Sequence, residues 1–176
     1  MTQRSYSELI ALLPDNTSGL ISPSDMRDVV DSVRQPHAGL YESTPVNTTI
    51  AVPGTYYKAA GTFIAQPHSN LMTADTTGRI TYNGISDRHF HIVCSISMTC
   101  ASNNQDLAFR IAKNGVTDES SEGDRKVGTG SDVGAIAIHA DLQLATNDYI
   151  ELFVTNKTST ALVTLTNMYL FTVGMF

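Results

Sequence analysis

The stretch Val133-Gly134-Ala135-Ile136-Ala137-Ile138-His139-Ala140-Asp141-Leu142-Gln143-Leu144-Ala145-Thr146-Asn147-Asp148-Tyr149-Ile150-Glu151-Leu152-Phe153-Val154-Thr155-Asn156 decides the fold of this chain. Its first half alternates, with Ile136, Ile138, Ala140, Leu142 and Leu144 sharing one face. Ala145-Thr146-Asn147-Asp148 breaks the pattern as a turn. The second half alternates again, with Ile150, Leu152 and Val154 on one face and Tyr149 and Phe153 on the other. A period of two marks strands with one face in a core. Asn156–Thr160 reads as a second turn, and Ala161–Val173 as a third apolar run. The last two strands are partly apolar on both faces, so their second face calls for a partner.

Upstream of this stretch the same pattern continues. Arg88–Thr99 places Phe90, Ile92, Cys94, Ile96 and Met98 on one face. Leu107, Phe109 and Ile111 alternate with Ala108, Arg110 and Ala112 and run into Lys113-Asn114-Gly115. Asn-Gly is a strong hairpin signal, because both central residues of a type I′ turn need positive φ. Asp118–Lys126 reads as a charged loop. Thr48–Val52, Ala60–Ala65, Leu71–Ala74 and Arg79–Tyr82 read as short strands. Eight to ten strands at regular spacing predict a mainly β protein, an antiparallel jelly-roll sandwich.

The N-terminal region is different. Ser5-Tyr6-Ser7-Glu8 has capping-box spacing and opens a short helix through Leu9, Ile10, Leu12 and Leu13. Ser22-Pro23 opens a second, with serine at the cap and proline at the first helical position. There Met26, Val29, Val30 and Val33 form one narrow apolar stripe. Such short helices are marginal alone, so the stripe docks on the β domain, a neighbouring subunit or a larger assembly. All six prolines lie at or before Pro67, and central strands avoid proline. The expected division is a helical docking segment over 1–35, a linker over 36–45 and a jelly-roll domain over 46–176.

Composition narrows the function classes. The chain has 176 residues, 16% of them charged, with a formal net charge of −6. That charge gives no footprint for nucleic acid. No apolar run approaches the roughly 20 residues that span a membrane, so neither nucleic acid nor membrane is an expected partner. The run Leu9–Leu13 lacks the basic lead and cleavage site of a signal peptide, and the chain reads as a whole gene product starting at Met1. Cys94 and Cys100 lie on one strand, roughly 20 Å apart at about 3.3 Å per residue, too far for a disulfide. They read as buried thiols of a protein made in a reducing cytoplasm.

The strand order resembles the trimeric jelly rolls typified by tumour necrosis factor and the complement globular heads. The resemblance covers roughly residues 46–176. It rests on the Phe90–Met98 strand, on Leu107–Ile111 with its Lys113-Asn114-Gly115 turn, on the Leu142–Leu152 hairpin, and on the terminal Tyr169-Leu170-Phe171-Thr172-Val173. In the hairpin, Asn147 stands where the family usually has glycine. The segment Leu12–Val30, with Asp15-Asn16-Thr17-Ser18-Gly19-Leu20-Ile21-Ser22-Pro23-Ser24-Asp25-Met26-Arg27, is similar to one found near the start of tailed-bacteriophage virion proteins. The two resemblances imply a homotrimer carried on a phage particle. Tyr149 and Phe153 are then expected at the trimer interface, the alternative being cover by a loop of their own subunit. Met26, Val29, Val30 and Val33 are expected to dock to the virion.

Other chemistry has little support in the sequence. His89 and His91 form a His-x-His pair that, repeated about a threefold axis, bears on a metal; surface or interface histidines are the plainer reading. Asp118, Glu119, Glu122 and Asp124 offer oxygen ligands but lack the EF-hand spacing. His139 and Asp141 share a strand face, yet no serine sits in a nucleophile elbow and no carboxylate pair is marked as a sugar hydrolase requires. No enzyme activity, metal or cofactor is expected. The leading expectation is a trimeric capsid decoration (cement) protein bound to the head surface, its partners being its own copies and the major capsid protein or another virion protein. It is made in the host cytoplasm and located on the virion. The alternative is the receptor-binding knob of a short tail fibre, using loops such as Asn83–Arg88 and Asp118–Lys126.

Overall fold

Two antiparallel sheets pack face to face in the computed structural model, which describes Ser7, Glu8, Ala11 and residues 22–175. Ser7, Glu8 and Ala11 are helical, and the rest of the described residues form a helix, α1 (Pro23–Ser32), and thirteen strands. The strands are β1 (His37–Pro45), β2 (Asn47–Thr48), β3 (Tyr57–Lys58), β4 (Gly61–Ala65), β5 (Met72–Ala74), β6 (Ile80–Tyr82), β7 (Arg88–Cys100), β8 (Gln105–Lys113), β9 (Val116–Thr117), β10 (Gly123–Val127), β11 (Gly134–Leu144), β12 (Tyr149–Asn156) and β13 (Val163–Gly174). The first sheet runs β11-β7-β13-β1-β4, with β2 beside β13. The second runs β10-β8-β12-β6-β5, with β3 on β12 and β9 on β8. This is the jelly-roll sandwich expected from the alternation.

The core forms where the alternating faces meet. Phe90, Ile92, Cys94, Ile96 and Met98 of β7 are buried, as are Leu107, Phe109 and Ile111 of β8 and Ile150, Leu152 and Val154 of β12. Tyr82 meets Phe90 edge-to-face at 4.9 Å between ring centroids. The Asn114-Gly115 turn has φ of 52° and 79°, as a type I′ hairpin demands. Asn147 has φ 70°, the left-handed conformation for which glycine is the usual residue and asparagine the next best. Cys94 and Cys100 are both free thiols. Cys94 is buried, which pushes its thiol well above the ordinary range, while Cys100 is only half-buried.

Two expectations need correction. Residues 36–45 are not a linker. His37–Tyr41 pair with Val173–Tyr169 of β13, and β1 also pairs with β4, so this stretch is an inner strand of the first sheet. Its prolines are tolerated because Pro36 precedes the strand and Pro45 is its last residue, beyond the pairing with β13. Nor is Asp118–Lys126 wholly a loop: Asp118 caps a short 3-10 turn, Glu119–Ser121, and Gly123–Val127 pairs with β8. The apolar run after Val163 carries a break in its alternation. A bulge between Leu165 and Asn167 opposite Met98 and Ser97 shifts its parity.

Leu9, Ile10, Leu12 and Leu13, expected to carry an N-terminal helix, lie outside the described residues. The second helix is present and capped as expected. Ser22 Oγ accepts from the Asp25 amide at 3.2 Å, and Asp25 Oδ2 accepts from the Ser22 amide at 2.8 Å.

One buried group is out of keeping with the core. Glu42 of β1 is 8% exposed, and neither carboxylate oxygen has a hydrogen-bond partner. Burial raises its pKa to about 7. The fold therefore favours the neutral acid. Its contribution is complete below the ordinary value of 4.5 and is lost as pH rises through about 7. We expect Glu42→Gln to stabilise the protein at pH 8 by up to about 3 kcal/mol and to change little near pH 4.5. Urea unfolding at both pH values checks this; a gain independent of pH would show that ionisation is not the cause.

Candidate functional site

The outer face of the first sheet carries the least satisfied surface among the described residues. Its side chains fall in three rows across the strands. Ile64, Tyr41, Tyr169, Ser95 and Ala137 form the first, through the register Tyr41↔Ile64, Tyr41↔Tyr169, Tyr169↔Ser95 and Ala137↔Ser95. Gly39, Phe171, Val93 and His139 form the second. His37, Val173, His91 and Asp141 form the third. Tyr41 and Tyr169 are each 38% exposed and Ile64 is 44% exposed. The Tyr169 and Phe171 rings lie nearly parallel, with centroids 6.4 Å apart. They sit over Gly39, where a Cβ would come within 3.1 Å of the Tyr169 hydroxyl and 3.4 Å of the Phe171 ring. A side chain there would push the Tyr169 hydroxyl aside by a few tenths of an ångström.

The bulge in β13 makes this face. Before it, Val163 and Leu165 point into the core. After it, Met168, Leu170 and Thr172 do, and Tyr169, Phe171 and Val173 point outward. An extra residue in one strand exchanges the two faces beyond it.

At the β7/β11 end the same face becomes polar. His91 Nδ1 lies 2.8 Å from Asp141 Oδ1, and His139 Nδ1 lies 3.4 Å from His91 Nε2. A shallow pocket beside them is lined by Ser120, His139, Ala140 and Asp141. The Ser120 hydroxyl is hydrogen-bonded to the Asp118 carboxylate, so it does not complete a serine–histidine–aspartate arrangement. His89 shares the outer face of β7 but stands opposite Gln143, one row beyond His91.

The outer face of the second sheet is satisfied within the chain. Glu151 is 2% exposed and holds both the Lys58 ammonium and, at 2.8 Å, the Arg79 Nε. Arg79 also lies over the Tyr149 ring, 4.0 Å from its centroid. Phe153 stands between Lys58 and Arg110 in the register. Beyond it, Glu122 accepts from the Tyr56 hydroxyl and Arg110 Nε, each at 2.7 Å, and pairs with Lys157 at 2.7 Å. Arg110 lies over the Tyr56 ring at 4.4 Å. Lys157, then Tyr56 and Arg110, hold the Glu122 carboxyl down at about 2. Burial and the Glu122 carboxylate push the Tyr56 phenol up to about 12.

Tyr149 and Phe153 are therefore both on the second sheet and half-buried, Tyr149 beneath Arg79 and Phe153 between Lys58 and Arg110 in the register. Glu122 and Asp124, offered from the sequence as oxygen ligands, are instead bound to Lys157, at 2.7 and 2.6 Å. On α1 and the turn that follows it, Met26, Val30 and Val33 are 51–58% exposed and Val29 is half-buried. Sequence reading missed Tyr41, Ile64, Tyr169 and Phe171 as a group. Both parities of the terminal strand are apolar, so alternation could not orient it. The polar pair Thr166-Asn167 at the break was the available signal.

The two sheets and their strand order match known architecture. The fold is a TNF-like jelly roll. An Eiger TNF from S. frugiperda aligns over 81% of this chain and 93% of its own, with 14% identity and a TM-score of 0.50. Murine APRIL aligns over 81% of this chain and 100% of its own at 8% identity and TM-score 0.50. A second structure of it, at pH 5.0, covers 79% and 99% at 9% identity and TM-score 0.51. No protein-family model matches the chain, and no curated protein matches it.

The Glu122 network ties the strand after the 3-10 turn to the loop between β12 and β13. Because the folded carboxyl sits at about 2 and its ordinary value is 4.5, the stabilisation is present above pH 4.5 and disappears as pH falls toward 2. Thermal melts from pH 5 to pH 2 should show a falling midpoint. In Glu122→Gln the midpoint should be lower at pH 7 and its acid-side fall shallower. An unchanged acid limb would mean that other carboxylates carry it.

Proposed function

We propose that this chain is a non-enzymatic structural module that associates as a homotrimer through the outer face of its first sheet and decorates the head of a tailed bacteriophage. One observation carries the self-association. The face holding Tyr41, Ile64, Tyr169 and Phe171 is aromatic and open, while the opposite outer face is closed by ion pairs within the chain. Aromatic residues with little charge among them are what interface cores favour. Trimerisation is what the resemblance to tumour necrosis factor and the complement heads implies, and the TNF-like fold supports it. On this reading the axis-facing aromatics are Tyr169 and Phe171, in place of Tyr149 and Phe153.

The virion assignment rests on the Asp15–Arg27 segment and its likeness to tailed-phage proteins. The exposure of Met26, Val30 and Val33 on α1 and the turn after it, with only Val29 half-buried, supports docking through this stripe. A ten-residue helix with its apolar stripe open gains its stability from whatever covers that stripe. We assign that cover to a capsid subunit. Each docked trimer would then present three such stripes, and linked contacts strengthen one another without new chemistry.

Light scattering of the full chain should give three times the 19.0 kDa chain mass. Phe171→Asp should reduce it to the monomer mass, and Phe153→Ser should leave it unchanged. The reverse pattern would return the interface to Tyr149 and Phe153.

Docking has its own readout. Heads stripped of the protein should lose thermal stability and regain it on addition of wild-type trimer. Met26→Glu/Val30→Glu should keep the trimer mass and fail to rebind. Hundreds of copies per particle fit decoration, whereas a few dozen or fewer would favour the tail-fibre knob.

A further inference from the structure

The polar end of the first sheet's outer face has a geometry that self-association does not use. His91 Nε2 and His139 Nδ1 are 3.4 Å apart, and their ring centroids are 5.4 Å apart. That separation is long for a hydrogen bond between two ring nitrogens. It suits two ligands of one ion. Two imidazoles bound tetrahedrally at 2.0–2.1 Å place their nitrogens about 3.3–3.4 Å apart and their ring centroids about 5.2 Å apart.

The surroundings favour that use. Asp141 Oδ1 lies 2.8 Å from His91 Nδ1. A proton shared with the carboxylate sits on Nδ1 and leaves the Nε2 lone pair free, the carboxylate–histidine arrangement that supports metal-bound imidazoles. The two histidines stand on β7 and β11, which pair continuously from Gly134↔Met98 to Leu144↔Arg88. Ile92 and Ala140 beneath them are buried in the core, so the backbones that carry both rings are rigid. The His91 side chain is 40% exposed and that of Asp141 65%, which leaves the outer coordination positions open to water. Among the described residues no group of three or more histidine, cysteine or carboxylate side chains is placed to hold an ion. The chain therefore supplies two ligands and solvent the rest.

We propose that His91 and His139 form a two-histidine site for a divalent transition metal such as zinc, with Asp141 as the positioning residue of His91. His139 shares a row with Phe171 on the face proposed for self-association, but the site takes no ligand from α1 or from a second copy, so zinc binding is read separately from the assembly.

The test is titration of Zn²⁺ alone into the full chain at pH 7.5 against a chromophoric chelator. The expected result is one ion per chain. His91→Ala and His139→Ala should each abolish saturable binding, and His89→Ala should leave it unchanged. Asp141→Asn should weaken it by roughly 10–100-fold. Circular dichroism of each variant guards against loss of fold. Long-range nitrogen–proton spectra of the imidazoles should show Nε2 of His91 and Nδ1 of His139 shifting on zinc addition, which a merely structural role would not produce. Absence of saturable binding, wild-type affinity in His139→Ala, or one ion per three chains would overturn the proposal.

Discussion

The architecture depends on how β13 is held. It lies between β7 and β1 in the first sheet, hydrogen-bonded on both sides. Its register with β7 slips by one residue at Thr166, between Leu165 opposite Met98 and Asn167 opposite Ser97. Without that slip Tyr169, Phe171 and Val173 would point into the sandwich, and Met168 and Leu170 would point out. Two aromatic rings cannot replace those side chains in a close-packed core without strain. The bulge keeps Met168 and Leu170 in the core and puts the rings of Tyr169 and Phe171 on the surface.

A surface of this kind is unfinished in a monomer. Apolar area left in water forgoes roughly 25 cal/mol per Å² on burial. Association must also offset lost translational and rotational freedom, so a patch this aromatic is useful only if it is large and shape-matched. The other outer face shows the contrast. Glu151 is nearly inaccessible and sits between two cations, and a buried carboxylate persists only with such partners. Arg79, one of the two, also covers the Tyr149 ring. One face has been satisfied by its own chain, and the other presents rings, a glycine floor and a pair of histidines.

The N-terminal helix follows the same logic on a smaller scale. Its cap is complete within the chain, through Ser22 and Asp25. Its stripe is not, since three of its four apolar residues are largely exposed. Local sequence supplied what a helix start requires, but burial of the stripe needs something outside the described residues.

Several features were legible in the sequence because they are local. The inner faces of β7, β8, β11 and β12 follow from alternation alone. The Asn114-Gly115 turn and the positive φ of Asn147 follow from the chemistry of those residues. The Ser22 cap follows from spacing. The tertiary structure decided what depends on neighbours distant in the chain. Residues 37–45 look like a proline-bracketed linker until β13 and β4 pair with them. Residues 123–127 look like a charged loop until β8 pairs with them. Tyr149 and Phe153 look unpartnered until Arg79, just ahead of β6 and 70 residues earlier, lies over one ring and Lys58 and Arg110 flank the other. Alternation states that a strand has two faces. Which face points inward is set by register, and register is a property of the pairing.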